Sequence, residues 1–141
     1  MDSRRLFRVF VLVKFATALL ALMSSKYFHP YLNNTELLLS SEASTGPLDE
    51  AVRSVLAPFA RWDALYFLQI ATNGYQYEHQ HAFFPLFPLL IRFGALGLHK
   101  AVGLSMMSGA LLTGVAISNI CHLFFAANIY KYLVWLMRTL T

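Results

Sequence analysis

The chain has 141 residues, of which 57% are hydrophobic and 13% charged, and its net charge is +4. Typical globular proteins contain about 45–50% apolar and about 25% charged residues, so this composition excludes an ordinary soluble domain and favours a membrane protein. The small, scattered positive charge excludes the concentrated basic surface with which proteins bind nucleic acid. The one cysteine, Cys121, lies in an apolar run and is predicted to be a buried packing residue.

The first apolar segment covers residues 6–25, which is long enough to cross a bilayer, since a span takes about 20 residues. Arginines precede or open it, so the positive-inside rule places the N-terminus in the cytoplasm. Lys14 lies near the middle, and we expect it to point into a protein interior or a polar cavity, because a charge facing lipid is costly. A cleaved signal peptide is the alternative, which the length of the segment and Lys14 disfavour.

Residues 26–81 form the extended polar part of the sequence, and this topology makes them a large lumenal loop. An Asn-Asn-Thr triplet makes Asn33 a candidate glycosylation site on that side. A helix is predicted over residues 58–73, because a proline suits its first turn and Asn-Gly suits its end. Helical spacing gives it an apolar face, so we predict an amphipathic helix at the bilayer surface.

The apolar face of this helix carries an acid that surface packing does not explain. The face consists of Phe59, Trp62, Tyr66 and Ile70. Asp63 falls on the same face, where an apolar residue is expected. A structural ion pair is the alternative explanation for Asp63. Its candidate partners are Arg53, Arg61 and Lys14.

Two further apolar segments, at residues 82–98 and 104–137, predict the second and third spans. The third carries small residues at roughly helical spacing, which suits close packing of membrane helices. They are Ser105, Ser108, Gly109, Thr113, Gly114 and Ser118. Arg92 and Lys100 are interpreted as markers of a cytoplasmic end, with lipid phosphate binding as the alternative. The sequence thus predicts an all-α membrane protein with about three transmembrane helices.

Residues 62–85 read WDxxYFxxIAxxGYxYExxxAFFP, a long and specific pattern that closely resembles the PIG-V family of GPI mannosyltransferases. The resemblance implies a multi-pass enzyme of the endoplasmic reticulum membrane, with a GT-C architecture of which this chain supplies a part. It implies transfer of the second, α1,6-linked mannose from dolichol-phosphate-mannose to the GPI glycolipid intermediate in the lumen. It implies no further cofactor, and it leaves room for an accessory membrane subunit as a partner.

The resemblance also assigns roles to residues of the motif. Asp63 is implied to be the catalytic base that takes the proton of the acceptor hydroxyl, and Glu78 a second catalytic acid or acceptor ligand. Trp62, Tyr75 and His79 are implied to bind substrate. A β-linked donor and an α-linked product call for a single inverting displacement through an oxocarbenium-like transition state.

Simpler interpretations stay open for several of these residues. Trp62 is alternatively an interfacial anchor, since Trp is enriched at membrane surfaces, and Glu78 a loop carboxylate. His79 and His81 are not accompanied by further residues at the spacing of metal ligands, so we predict no metal site.

The length of the chain limits what it is expected to do alone. Family members are several times longer, so this chain is interpreted as an N-terminal fragment or a truncated form. Stabilising a transition state requires a complete, preorganised pocket. The alternative function is therefore a non-catalytic membrane protein that is unstable or associates with the full-length enzyme.

Overall fold

The computed structural model describes residues 3–27 and 43–140, which are mainly α-helical. The helices are α1 (Ser3–Tyr27), α2 (Pro47–Leu56), α3 (Asp63–Asn73), α4 (Leu86–Val102) and α5 (Met106–Leu140). Two 3-10 turns, Ala57–Phe59 and Glu78–Ala82, lie between them. No strand occurs in these two ranges, which confirms the predicted all-α class. The glycosylation candidate Asn33 lies outside the described residues.

Two of the described helices are long and apolar enough to cross a membrane, by length and composition: Arg5–Tyr27 and Met106–Leu140. The 35 residues of α5 extend about 52 Å, well past a hydrocarbon core of about 30 Å. The 17 residues of α4 extend about 26 Å, so the middle span stays a prediction. The α4 helix also begins at Leu86 and not at residue 82, because Pro85 occupies its N-cap.

The core forms where α3, α4 and α5 meet, and small residues let α4 and α5 approach closely. A Cβ added at Gly109 would lie 3.1 Å from both the Cα and the carbonyl oxygen of Ala95. A Cβ added at Gly94 would lie 3.1 Å from the Cβ of Thr113. The predicted packing role of the small residues is therefore confirmed for this stretch of α5, whereas Ser118 is exposed.

The α1 helix packs little against the other helices, and none of its candidate span is buried by the rest of the described chain. It contacts the Ala57–Phe59 turn, and the ring of Phe10 meets His122 of α5 edge-on, with centroids 5.4 Å apart. The Lys14 ammonium lies 5.7 Å from the centroid of the Phe10 ring, which is a cation–π contact within one helix turn. The expected orientation of Lys14 into a protein interior stays a prediction.

The predicted single helix over residues 58–73 is wrong, because the chain breaks before Asp63. Ala57–Phe59 form a separate 3-10 turn, and Trp62 takes a φ of 56°, a backbone conformation that bulky residues rarely adopt. The predicted apolar face is therefore not continuous. Trp62 is 88% exposed, whereas Ile70 is buried. Placement of α3 at the bilayer surface stays a prediction.

The prediction that Cys121 is a buried packing residue is also wrong, since its side chain is exposed. The buried residues of α5 are all in its first turns, from Met107 to Leu111. Cys121 lies in the part of the helix that extends beyond the core. An apolar run does not reveal this, because lipid-facing and core-facing helix segments have the same composition.

Gly109→Val is expected to lower the free energy of unfolding by about 1–3 kcal/mol, because the added atoms meet Ala95 backbone that no rotamer change can move. The matched control is Gly97→Ala, which has no atom within 4 Å of its new Cβ. We expect the control to be stabilising by about 0.5–1 kcal/mol. Unfolding of both variants in detergent micelles, followed by far-UV circular dichroism, checks this. Equal midpoints for the two variants would contradict the close crossing of α4 and α5.

Candidate functional site

The two predicted catalytic acids lie at the start of α3 and on the 3-10 turn that follows α3. Asp63 is the first residue of α3, where the helix dipole favours a negative charge. Glu78 opens the Glu78–Ala82 turn, and both side chains are exposed. The alternative structural ion pair of Asp63 is not formed with any residue that the structure describes. The carboxylate of Asp63 is thus open to a ligand.

Aromatic contacts hold the Glu78–Ala82 turn against α3. The ring of His79 lies edge-on to Tyr66, with centroids 5.5 Å apart. Tyr66 also stacks on Phe83 at 4.9 Å. Because residues three apart share a face of a helix, Tyr66 lies beside Asp63. The contact with His79 therefore places the segment carrying Glu78 next to the first turn of α3.

Gln80, which the sequence analysis passed over, fixes the shape of this segment. Its side chain is fully buried, and its Oε1 accepts hydrogen bonds from the backbone N–H groups of Gln76 at 2.7 Å and Tyr77 at 3.2 Å. Its Nε2 donates to Oε1 of Gln69 on α3 at 3.3 Å. A buried amide is satisfied in this way, and the turn is tied to the helix.

Tyr75 and His79 both make contacts within the protein that shape the loop. The hydroxyl of Tyr75 donates to the carbonyl oxygen of Phe83 at 2.6 Å, and its ring stacks on His81 with centroids 4.8 Å apart. His79 stacks on Tyr77 at 5.6 Å in addition to its contact with α3. His81 thus already covers one face of the Tyr75 ring. Substrate binding by Tyr75, His79 and Trp62 stays a prediction.

The rings of His79 and His81 pack on tyrosines and do not converge on a common point with other ligands. Among the described residues, no three His, Cys, Asp or Glu side chains are arranged to hold a metal ion.

Arg92 of α4 closes the C-terminal end of α3. Its Nη1 donates to the carbonyl oxygens of Ala71 at 2.9 Å and Thr72 at 3.0 Å. The last carbonyls of a helix lack partners within the helix and attract a cation. Arg92 is therefore a tie between two helices, a role that the sequence analysis did not anticipate. Its predicted cytoplasmic side stays a prediction.

A mostly apolar, half-open groove of about 320 Å³ runs beside the first turn of α3. Its walls come from the first 3-10 turn and from α3, α4 and α5. The lining residues are Phe59, Ala64, Phe67, Leu68, Phe87, Ile91, Leu111, Gly114, Val115, Ser118 and Asn119. Ala64 adjoins Asp63 in the chain, whereas Asp63 itself is not a lining residue. A concave, apolar site with few polar groups is typical of small-ligand binding.

A buried polar network that the sequence analysis missed joins α2 to the start of α5. Asp49, 1% exposed, accepts a hydrogen bond on Oδ1 from the backbone N–H of Ser105 at 2.9 Å. Its Oδ2 lies 3.1 Å from Nε of Arg53. The Nε proton of Arg53 is directed at Oγ of Ser108, 3.0 Å away, and Nη2 donates to Oγ of Ser105 at 2.9 Å. The Asp49–Arg53 contact is thus an ion pair without a directed hydrogen bond on Oδ2.

The network sets the charge state of Asp49. Burial raises the pKa of Asp49, but the backbone N–H of Ser105, the hydroxyls of Ser108 and Ser105 and the Arg53 guanidinium outweigh burial and hold the pKa below 3.8. Ser105 also caps α5, because its Oγ accepts from the backbone N–H of Ser108 at 3.2 Å. The i, i+4 spacing of Asp49 and Arg53 is the one sequence signal that indicates their pairing.

The fold and the site together define a helical protein with two candidate membrane spans, two exposed acids on and after α3, and an apolar groove that α3 helps to line. The Mannosyltransferase (PIG-V) family matches residues 3–140, and the chain belongs to this family. No solved structure matches the chain.

Three curated relatives place the chain within the family. It is 42% identical over 85 residues to mouse GPI alpha-1,6-mannosyltransferase 2, covering 60% of this chain and 17% of the mouse protein. The human protein of the same name is 41% identical over 85 residues, with the same 60% and 17% coverage. GPI mannosyltransferase 2 of Candida albicans is 29% identical over 134 residues, which is 91% of this chain and 30% of the yeast protein. The chain thus spans less than a third of each of these relatives.

Asp49 is expected to make folding stability fall in acid. Its folded-state pKa is lowered, so its contribution is complete above the unfolded-state value of about 3.9 and is lost as the pH falls through the folded value. Urea unfolding of the parent chain between pH 3 and pH 7 checks this. Asp49→Asn should be less stable at pH 7 and should have a flatter profile below about pH 4. Parallel profiles for the two proteins would show that Asp49 is not held as a carboxylate.

Proposed function

We propose that these residues belong to an enzyme of the endoplasmic reticulum membrane, with its N-terminus in the cytoplasm. Its reaction is transfer of the second, α1,6-linked mannose from dolichol-phosphate-mannose to the GPI intermediate. Family membership and the names of the mouse and human relatives support the reaction class. The chain spans 17% of the mouse relative, so the proposal concerns a protein that contains these residues.

The observation that carries the proposal is the exposed carboxylate of Asp63, the chain neighbour of Ala64, which lines an apolar groove. Asp63 lies at a helix N-terminus, and the next residue, Ala64, lines the groove. Donor and acceptor are both lipids, so the reacting groups must meet where an apolar surface adjoins a polar one. Asp63 stands at such a boundary, which supports its role as the group that receives a proton.

The proposed reaction is one inverting displacement. A hydroxyl oxygen of the acceptor forms a bond to the anomeric carbon of the donor mannose, and its proton passes to the carboxylate of Asp63. The bond from the anomeric carbon to the phosphate oxygen breaks, and dolichyl phosphate leaves with the electron pair. The leaving group is a stable anion, so its departure requires no protein acid. The oxocarbenium-like transition state is the point at which nearby carboxylates contribute most.

Glu78 and Trp62 take supporting roles in this proposal. Glu78 lies on the turn that His79 packs against α3, so its negative charge stands near the site where positive charge develops on the sugar. Trp62 immediately precedes Asp63 and is 88% exposed, which leaves its indole free to stack on a sugar or to enter the membrane surface. Both roles leave Asp63 as the sole proton acceptor.

Asp63→Asn is expected to lower mannose transfer by about 100-fold or more, because an amide of the same shape cannot accept the proton. Glu78→Gln should cost less, since no proton transfer depends on it. The matched control is Glu50→Gln, an exposed carboxylate on α2. The assay measures how much surface GPI-anchored protein each variant restores in cells that lack the second GPI mannosyltransferase. Each variant is made in the longest protein that contains this segment. Unchanged transfer in Asp63→Asn at equal protein level would remove Asp63 from the base role.

The 141-residue chain itself is expected not to restore surface GPI-anchored protein in those cells, although it carries both acids. The physical reason is that the groove is open on one side, and an open pocket leaves the transition state in water. Expression is measured in the same cells by an epitope tag. Rescue by this chain would show that the residues present already build a complete site.

A further inference from the structure

We propose that the buried network of Asp49, Arg53, Ser105 and Ser108 is a positioning device for Asp63. It fixes the corner formed by Trp62 and Asp63, named here the Trp62 corner, relative to α5. The inference rests on the proposed role of Asp63, although its structural part is tested independently below. None of the four residues touches the proposed reacting atoms.

The α2 helix is held in place by polar contacts more than by apolar burial. Asp49 is the one residue within α2 that is buried. Other helix contacts in the described core, such as those among α3, α4 and α5, are made by apolar side chains. Removing one member of a buried charged network leaves its partner unsatisfied, which costs far more than losing a surface contact. The position of α2 against α5 therefore depends on these four side chains.

The connection from α2 to α3 has no slack through which a shift of α2 could be absorbed. Only residues 57–62 separate the two helices. Ala57 packs on the core, Ala60 is fully buried, and the backbone N–H of Ala60 donates to the carbonyl oxygen of Ala57 at 3.0 Å. A shift of α2 would therefore have to be taken up within this six-residue connection, which ends at Trp62.

The backbone at Trp62 is strained, and the strain requires support from both sides. Its φ of 56° is disfavoured for a residue with a bulky side chain. Such conformations persist only where the surrounding structure imposes them. On one side α3 is anchored in the core by Leu68 and Ala71, and on the other side the network anchors α2. If α2 is released, Trp62 can relax, and Asp63 moves with it.

Residues next to the Trp62 corner and residues of α5 line the same groove. Phe59 and Ala64, on either side of the corner, line it together with Val115 and Ser118 of α5. The network joins α2 to Ser105 and Ser108 at the start of that same helix. We therefore expect the network to set the position of the corner relative to α5.

The chain provides its own reporter for the structural part of the proposal. It contains two tryptophans, Trp62 and Trp135, so Trp135→Phe leaves the corner residue as the sole indole. In this background the 141-residue chain is placed in lipid nanodiscs, and the fluorescence anisotropy of Trp62 is measured. We expect Arg53→Lys and Asp49→Asn to lower the anisotropy, because the corner gains freedom. Ser54→Ala, an exposed residue on the same helix, should leave it unchanged.

Far-UV circular dichroism separates local release from unfolding. If the Arg53 or Asp49 variant loses helix content, Ser108→Ala decides the question, because it keeps both charges and removes one hydroxyl, the acceptor for Arg53 and for Ser105. Lower anisotropy with helix content retained supports the proposal. Anisotropy equal to that of the parent, in a variant that keeps its helices, overturns it.

The functional part is tested in the longest protein that contains this segment, assayed in microsomes with a lipid-linked mannose donor. Arg53→Lys should lower kcat about tenfold with the donor KM unchanged, because a displaced base costs rate without weakening lipid binding. Ser54→Ala is again the control. A raised KM at unchanged kcat, or a loss explained by lower protein level alone, overturns the positioning role. Asp63→Asn should leave the Trp62 anisotropy unchanged, so failure of the base assignment and failure of this inference are separable.

Discussion

The close crossing of α4 and α5 is the contact on which the other described elements depend. Gly109 lies against the backbone of Ala95, and Gly94 lies against Thr113, so the two helices approach closer than side chains elsewhere allow. The α3 helix packs on this pair, and Arg92 holds the carboxyl end of α3 to α4. The groove is the space that remains between the three helices. A bulkier residue at the crossing would therefore change the shape of the groove as well as the stability of the core.

Two kinds of interaction then place the candidate acids on this frame. The edge-on contact of His79 with Tyr66 and the buried amide of Gln80 hold the Glu78–Ala82 turn on α3. On α2, the ion pair of Asp49 and Arg53 and its contact with Ser105 hold the segment that leads into the N-terminal end of α3. A buried ion pair seldom adds much net stability, because desolvation cancels most of the attraction, but it strongly disfavours arrangements in which the charges are unpaired. This explains why a short helix without a buried apolar residue keeps one position.

The sequence predicted the elements whose signal is local. The first and third apolar runs correspond closely to α1 and α5, because a long run of apolar residues is sufficient to identify a helix of membrane length. The spacing of glycine and serine predicted the close packing of α5, since small side chains let helix backbones approach one another. The helix predicted at 58–73 failed at Trp62. Propensity and spacing favour a continuous helix there, and the burial of Ala60 together with the anchoring of α2 breaks it.

The sequence by itself therefore determined the helical class, the first and third apolar runs and the motif that identifies the family, because each of these is a property of neighbouring residues. The tertiary structure alone decided that Asp63 begins a helix beside a groove, that Asp49 is buried and that Cys121 is exposed. The partners of Asp49 and Arg53 on α5 lie 52–56 residues away in the chain. No local pattern records such a contact. It arises only when the helices between these residues have packed and have removed both charges from water.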